Sequence, residues 1–475
     1  MNITKSPIRL HASAKAVVAR FLHLPGSDRI SNVVKRVEDI NVNDLDGCLE
    51  KLTKEFSWRH HNMEEIFLNH FSKAEHQYGS SLAHFSSRKK LLLGAFLTKE
   101  YSIQAAALFN PSIVPHPKQH DLQPGEQRFI MSMRATGEGH ISSVVFKVGI
   151  VDGKGNITLD SDSLHHTCLE KNASARYSKD FIAQRAAIDM QFNKTILDHL
   201  PDSFTAAQAM TALKLAEDEK ASIRNSMAIV EEIFDTNYEL EDSSNLSINA
   251  KVIFPIAKAE SMGMEDTRFV KFEDEGHCCY YGTYTAYDGK RIRTQMIETA
   301  DFNTFKIRAL YGSAIQDKGM ALFPEKINGK FVMISRQGGE KIQIMFSEDL
   351  YFWEKFQVLM EPRFTWELVQ LGNCGSPIKT DKGWLLLTHG VGPMRAYVIS
   401  AILLDLDDPR LIIGRLDTPL IEADESEREG YVPNVVYTCG MMRHGNLLIV
   451  PYAVSDSATG FATIMLDDLL KGIKP

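Results

Sequence analysis

The chain has 475 residues, 44% hydrophobic and 24% charged, the balance of an ordinary globular protein and enough length for a large domain with additions or for two or three domains. Its formal net charge of −8 argues against a general nucleic-acid binder, whose affinity rests on neutralising phosphates. No window approaches ~18 uninterrupted apolar residues, so no transmembrane helix is expected. The N-terminal stretch lacks the apolar core of a signal peptide, so the expected location is cytoplasmic, with neither membrane nor nucleic acid as partner.

In chain order, residues 1–105 read as a helical N-terminal region. "SNVVKRVEDI", "DLDGCLEKLTKEFSWRHHNMEEIFLNHFSKA" and "SSRKKLLLGAFLTKEYSIQAAALF" carry apolar residues at three- and four-residue intervals. They hold too many apolar positions for a free tail, which predicts packing on the rest of the chain or a homo-oligomer contact. A second helical block, 178–235, carries the same period, with "PDS" punctuating it. After residue 250 short aromatic and β-branched runs alternate with turns. A glycine turn, two apolar strands and an acidic-aromatic turn recur, marked by Gly276, Gly329, Gly383 and Gly445 at spacings of 53, 54 and 62 residues. A further copy starts near Gly125. Four or so strands in roughly 50 residues is the pattern of a propeller blade. The predicted fold is therefore all-β: a five-bladed β-propeller over 106–475, with 178–235 a helical insertion outside it. A large β-sandwich with helical decorations is the alternative, and it explains the regular spacing less well.

The six cysteines (Cys48, Cys168, Cys278, Cys279, Cys374, Cys439) are too few and scattered for a disulfide framework. None forms a C-x-x-C pair, no H-E-x-x-H occurs, and no metal site or cofactor is expected. In a propeller, residues at equivalent places in each repeat converge on one axis. That singles out Asn110, Arg134, Asp266, Lys326, His389, Asn434 and Asp456. The stretch "GMEDTRFVKF" raises the sharpest question, because two adjacent carboxylates and an arginine stand where a strand enters the core. They form either a surface ion pair or part of a reaction centre.

An ordered series of stretches resembles glycoside hydrolase family 130, whose members cleave β-mannosides on a five-bladed propeller. It comprises "LFNPSIV", "MEDTRFV", "YTAYDG", "LFPEKINGK", "GSPIKTDKGWLLLTHGVG", "LLDLDDPRLIIGR" and "REGYVPNVVYTCG". The resemblance covers roughly 105–470, excepting the helical insertion. It implies that Asp266 is the general acid, within "EDTR" where the family has "EDPR", so that Thr267 replaces proline. Protonating the departing sugar oxygen lowers the barrier for a poor leaving group, and the resemblance suggests a path through a mannose hydroxyl. It also implies that Glu265 and Arg268 hold sugar hydroxyls and Asp266 itself. Asn110, Ser112 and Arg134 would contact the sugar in the cleavage subsite, with Asn434 and Asp456 adding polar groups from the last repeat.

The family contains inverting hydrolases and phosphorylases. Hydrolysis needs a base to activate water, with carboxyl groups about 6.5–9.5 Å apart; Glu298 and Glu340 are the candidates. Phosphorolysis needs instead a cationic cradle for a dianion. Lys326 and His389 stand where the family's phosphorylases hold phosphate, and Arg308 or Arg336 can add a guanidinium. The long helical N-terminal region departs from the compact phosphorylases. The expected activity is inverting hydrolysis of manno-oligosaccharides or mannosides, with a phosphorylase releasing mannose 1-phosphate as the alternative. In that alternative inorganic phosphate is co-substrate. A non-catalytic sugar-binding propeller is the third reading, since fold does not dictate function.

Overall fold

The computed structural model describes residues 3–78, 82, 84–216, 221–242 and 244–475. It is mostly β with segregated helices. Hydrogen bonding joins the described strands into one twelve-stranded, two five-stranded, one four-stranded and two two-stranded sheets. The twelve-stranded sheet contains two antiparallel runs. One is Ala107–Pro115, Gln127–Thr136, Ser142–Val151 and Ile157–Leu159; the other is Gly263–Asp274, His277–Tyr287, Ile292–Thr299 and Phe305–Ala309. Strand Gly263–Asp274 meets the first run at the pair Gly263↔Ser142. Phe146 and Phe269 pack in the shared core, with Tyr280, Ile297 and Phe305.

Ala321–Leu322, Phe331–Ser335, Ile342–Ser347 and Phe356–Met360 form the four-stranded sheet. Trp384–Val391 lies at the centre of the next, between Gln370–Asn373 and Tyr397–Leu404, with Ile412–Arg415 beyond. Its unbroken apolar run "WLLL" reflects burial of every residue of the strand. A short continuous apolar run of this kind marks a strand covered on both faces.

The N-terminal region is not helical throughout. Ile3–His11 is a strand that pairs antiparallel with Ala458–Met465, at the edge of the sheet containing Leu447–Val454 and Val436–Tyr437. Val17–Phe21 and Thr98–Ser102 form a two-stranded sheet. Helices Ser27–Asp39, Val42–Phe56, Met63–Tyr78 and Ser87–Phe96 lie between those two strands in sequence. Helical periodicity is real there, but a strand whose partner lies far along the chain leaves no periodic trace. Pro7 lacks a backbone donor and suits an edge strand; the ladder shifts register between Lys5 and Arg9 around it. In the second helical block, helices Lys179–Ala186, Ala206–Ala216 and Ala221–Thr236 share a core with Tyr177, Ile196 and Phe204.

Candidate active site

Two strands from separate runs interrupt their ladders at matching places. The register shifts between Phe109 and Ser112 and again between Glu265 and Arg268. Asn110–Pro111 and Asp266–Thr267 thus bulge from their sheets. Asn110 (φ 49°) and Asp266 (φ 54°) both take the left-handed conformation, which short polar side chains tolerate best. Bulges re-aim side chains, and such strained positions gather at functional sites. Here they bring the two side chains together, with Asn110 Nδ2 donating to Asp266 Oδ1 over 2.6 Å.

Arg134, from the neighbouring strand, closes the cluster. Its Nη2 donates to Glu265 Oε1 at 2.8 Å, Nη1 lies 3.4 Å from Asp266 Oδ1, and Nε donates to Ser142 Oγ at 2.8 Å. Arg268 is fully buried behind the acid. It donates through Nη1 to the Asp266 carbonyl, through Nε to the Cys374 carbonyl and through Nη2 to Tyr437 Oη. Burial alone would push the Asp266 carboxyl up. The guanidiniums of Arg134 and Arg268, the Asn110 amide and Lys318 outweigh it and hold the group down at about 2. Asp456 goes the other way: burial and the neighbouring Asp266 charge raise it to about 6, against the pull of Arg134 and Arg395. Two neighbouring carboxyl groups are thus pushed in opposite directions by their surroundings.

Beyond Arg268 lies a second, cationic part. Arg336 Nη1 is 3.5 Å from His389 Nε2. The His389 ring sits 4.9 Å from Tyr437 and stacks on Tyr397 at 5.8 Å. Burial and the charges of Arg336 and Arg268 force the His389 imidazole well below its usual pKa, so it is neutral near pH 7. Among the described residues Arg336 has no carboxylate partner within 4.0 Å although it is only 7% exposed, and Arg336 Nε and His389 Nδ1 have no hydrogen-bond partner. A buried guanidinium is costly unless an anion meets it.

The remaining candidates fall elsewhere. Glu298, half-buried and raised in pKa chiefly by desolvation, accepts from Tyr351 Oη at 2.7 Å and lies among Arg308, Lys306 and Arg185. Arg308 itself pairs with Glu239 at 3.1 Å. Glu340 is exposed in the turn after Gly338–Gly339. Lys326 pairs with Asp274 at 3.3 Å and covers the Phe331 ring. None of these four shares a hydrogen bond or ion pair with the Asp266 cluster among the described residues: each has a local partner or faces solvent, and the sequence held no sign of those partners. Ser112 is close by, but its hydroxyl accepts the Phe269 N–H at 3.0 Å and ties the two bulged strands together. Asn434 (φ 62°) takes the left-handed turn and its carbonyl accepts from the Tyr397 N–H. Tyr437 and Lys318 were missed. Tyr437 lies in "PNVVYTCG", three residues beyond Asn434, and Lys318 in "QDKGMALFPEK", just ahead of the stretch that drew attention to Lys326.

The profile of the family Glyco_hydro_130, described as beta-1,4-mannooligosaccharide phosphorylase, matches residues 227–474. A 1,2-beta-oligomannan phosphorylase of Thermoanaerobacter sp. (strain X514) is 36% identical over 214 residues, covering 44% of this chain and 71% of that relative. A beta-1,2-mannobiose phosphorylase of the same organism is 36% identical over 210 residues, 43% of this chain and 68% of the relative. The solved beta-1,2-mannobiose phosphorylase of Listeria innocua, in complex with beta-1,2-mannobiose, is 20% identical with a TM-score of 0.48, covering 78% of this chain and 93% of that one. The chain belongs to glycoside hydrolase family 130, a family of carbohydrate-processing enzymes.

Proposed function

We propose that the chain is a β-mannoside phosphorylase built on a five-bladed propeller. Phosphorolysis replaces the hydrolytic reading that the sequence alone favoured. The observation that carries it is the Arg336–His389 pair beside Arg268: buried, cationic, unmatched by a carboxylate among the described residues and next to the acid. A phosphate dianion supplies the missing charge through paired guanidinium contacts. The names of the relatives support the same reaction. The candidate water-activating bases support it indirectly, because Glu298 and Glu340 have other surroundings. For the propeller, the support is the meeting of residues from five separate strand runs, represented by Asn110, Asp266, Arg336, His389 and Tyr437.

In this mechanism a phosphate oxygen attacks the anomeric carbon of the mannosyl unit. The bond from that carbon to the leaving sugar's oxygen breaks, and the oxygen takes a proton originating on Asp266, with inversion at the anomeric carbon. Asn110, Arg134 and Glu265 hold the mannose hydroxyls. An acid held at about 2 is ionised at neutral pH, so it must gain its proton as the complex forms. Bound phosphate helps, because its charge offsets Arg268 and repels the Asp266 carboxylate.

Product analysis tests the reading. Incubated with β-linked manno-oligosaccharides and phosphate, the enzyme should release mannose 1-phosphate and stall when phosphate is withheld. Arg336→Ala should raise the KM for phosphate by about 10–100-fold, as expected for losing a charge-assisted contact. Free mannose formed at the same rate without phosphate would overturn it.

A further inference from the structure

Two exposed aromatic side chains stand at the edge of the acid cluster. His140 ends the turn Glu138–His140 between strands Gln127–Thr136 and Ser142–Val151, with φ 61°. It lies two residues before Ser142, the acceptor for Arg134 Nε. Tyr431 is 58% exposed. Its N–H donates to Ser457 Oγ at 2.6 Å, and the next N–H, of Val432, donates to the Ser455 carbonyl at 3.0 Å. Tyr431 is thereby fastened on both sides of Asp456. The two rings are 6.0 Å apart and tilted by 33°, with Tyr431 Oη 3.4 Å from His140 Nδ1. His140 thus lies close in sequence to the Ser142 that holds Arg134, and Tyr431 is fastened beside the Asp456 that senses the Asp266 charge, yet both rings are open to solvent.

The turn bearing His140 is held by the N-terminal region. Tyr101 Oη donates to the Glu138 carbonyl at 2.7 Å, and Lys99 Nζ pairs with Glu138 Oε1 at 3.1 Å. A Cβ at Gly137 would stand 2.6 Å from the Ser102 carbonyl oxygen, so the turn and strand Thr98–Ser102 are in direct contact.

We propose that His140 and Tyr431 form the platform for the leaving sugar, and that the N-terminal region sets it through Tyr101 and Lys99. This rests on the phosphorylase reading. The mannosyl unit occupies the inner cluster around Asp266, so the departing pyranose extends towards solvent. An aromatic face covers the apolar C–H side of a pyranose, and the imidazole and phenol offer hydrogen bonds to its hydroxyls. Holding the turn in place in advance avoids paying for its ordering on binding.

The test is synthesis from mannose 1-phosphate and a mannose or mannobiose acceptor. Tyr431→Ala should raise the acceptor KM at least tenfold and leave the KM for mannose 1-phosphate within twofold. His140→Ala should raise the acceptor KM several-fold. Tyr101→Phe removes the hydroxyl that holds the turn and should raise acceptor KM by a smaller factor with the same selectivity. An unchanged acceptor KM in Tyr431→Ala, or equal rises for donor and acceptor, overturns the platform. Should the wild type neither consume mannose 1-phosphate in synthesis nor release it from manno-oligosaccharides and phosphate, the phosphorylase reading fails separately. Calorimetric titration then decides the platform: Tyr431→Ala must weaken mannobiose more than mannose, and equal affinities for wild type and variant, or no binding to either, reject it.

Discussion

Asp266 and Asp456 are two carboxyl groups in one cluster with opposite electrostatic fates, and each makes its own demand on experiment. Replacing Asp266 by Asn keeps shape and most hydrogen bonding but removes the proton. Turnover of a manno-oligosaccharide should fall by about 10²–10⁴. An activated aryl mannoside, whose leaving group hardly needs protonation, should be partly spared; equal losses on both would make Asp266 a binding group alone. Asp456 bears on stability. Its native pKa is raised to about 6, above the ~3.9 of an unfolded chain. Between those values the native state holds more protons than the unfolded state, so this group's contribution falls as pH rises and stays low above about 6. Asp456→Asn should therefore stabilise the protein by about 1–2 kcal/mol at pH 7.5. The gain should vanish near pH 4 in thermal midpoints measured at both values, and an equal gain at both would contradict the sign. Of these residues, Asp266, Arg134 and Asn110 were legible from short motifs because their partners are other motif residues. The local partners of Lys326, Arg308 and Glu298, namely Asp274, Glu239 and Tyr351, were not legible, because a charged residue in a motif gives no hint of what it pairs with in space.

Among the elements, the strand runs after residue 250 were readable from alternating turns and apolar runs, since hairpin partners are close in sequence. The helices of the N-terminal region were readable from their period. Its strands were not, because Ile3–His11 and Thr98–Ser102 owe their conformation to pairing across the chain. Inside that region helices Met63–Tyr78 and Ser87–Phe96 touch at Gly94. A Cβ there would stand 1.9 Å from the Phe67 carbonyl oxygen. Gly94→Ala should force the helices apart at a cost of about 1–3 kcal/mol, the usual price of overpacking. Hydrogen exchange should accelerate first in those two helices; unchanged protection there would show that the contact relaxes freely.

At the scale of the molecule, Ile3–His11 closes the sheet that ends with Ala458–Met465. The closure is reinforced by Glu427, only 1% exposed at its side chain, which takes Lys5 Nζ at 2.5 Å, Arg9 Nη2 at 2.7 Å and Tyr452 Oη at 2.6 Å. That edge carries a cost in time. On the ribosome the strand emerges roughly 450 residues before its partner, which at about 5–20 residues per second is a wait of roughly 20–90 s. Throughout it Lys5 and Arg9 lack Glu427, and the backbone donors and acceptors of the strand lack their ladder. The positive charges that later meet Glu427 also discourage two nascent chains from pairing edge to edge in the interval, since charged side chains on an edge strand are a guard against such pairing. The same two side chains thus act twice, as repellents while the polypeptide is being made and as fasteners once its sheet is closed.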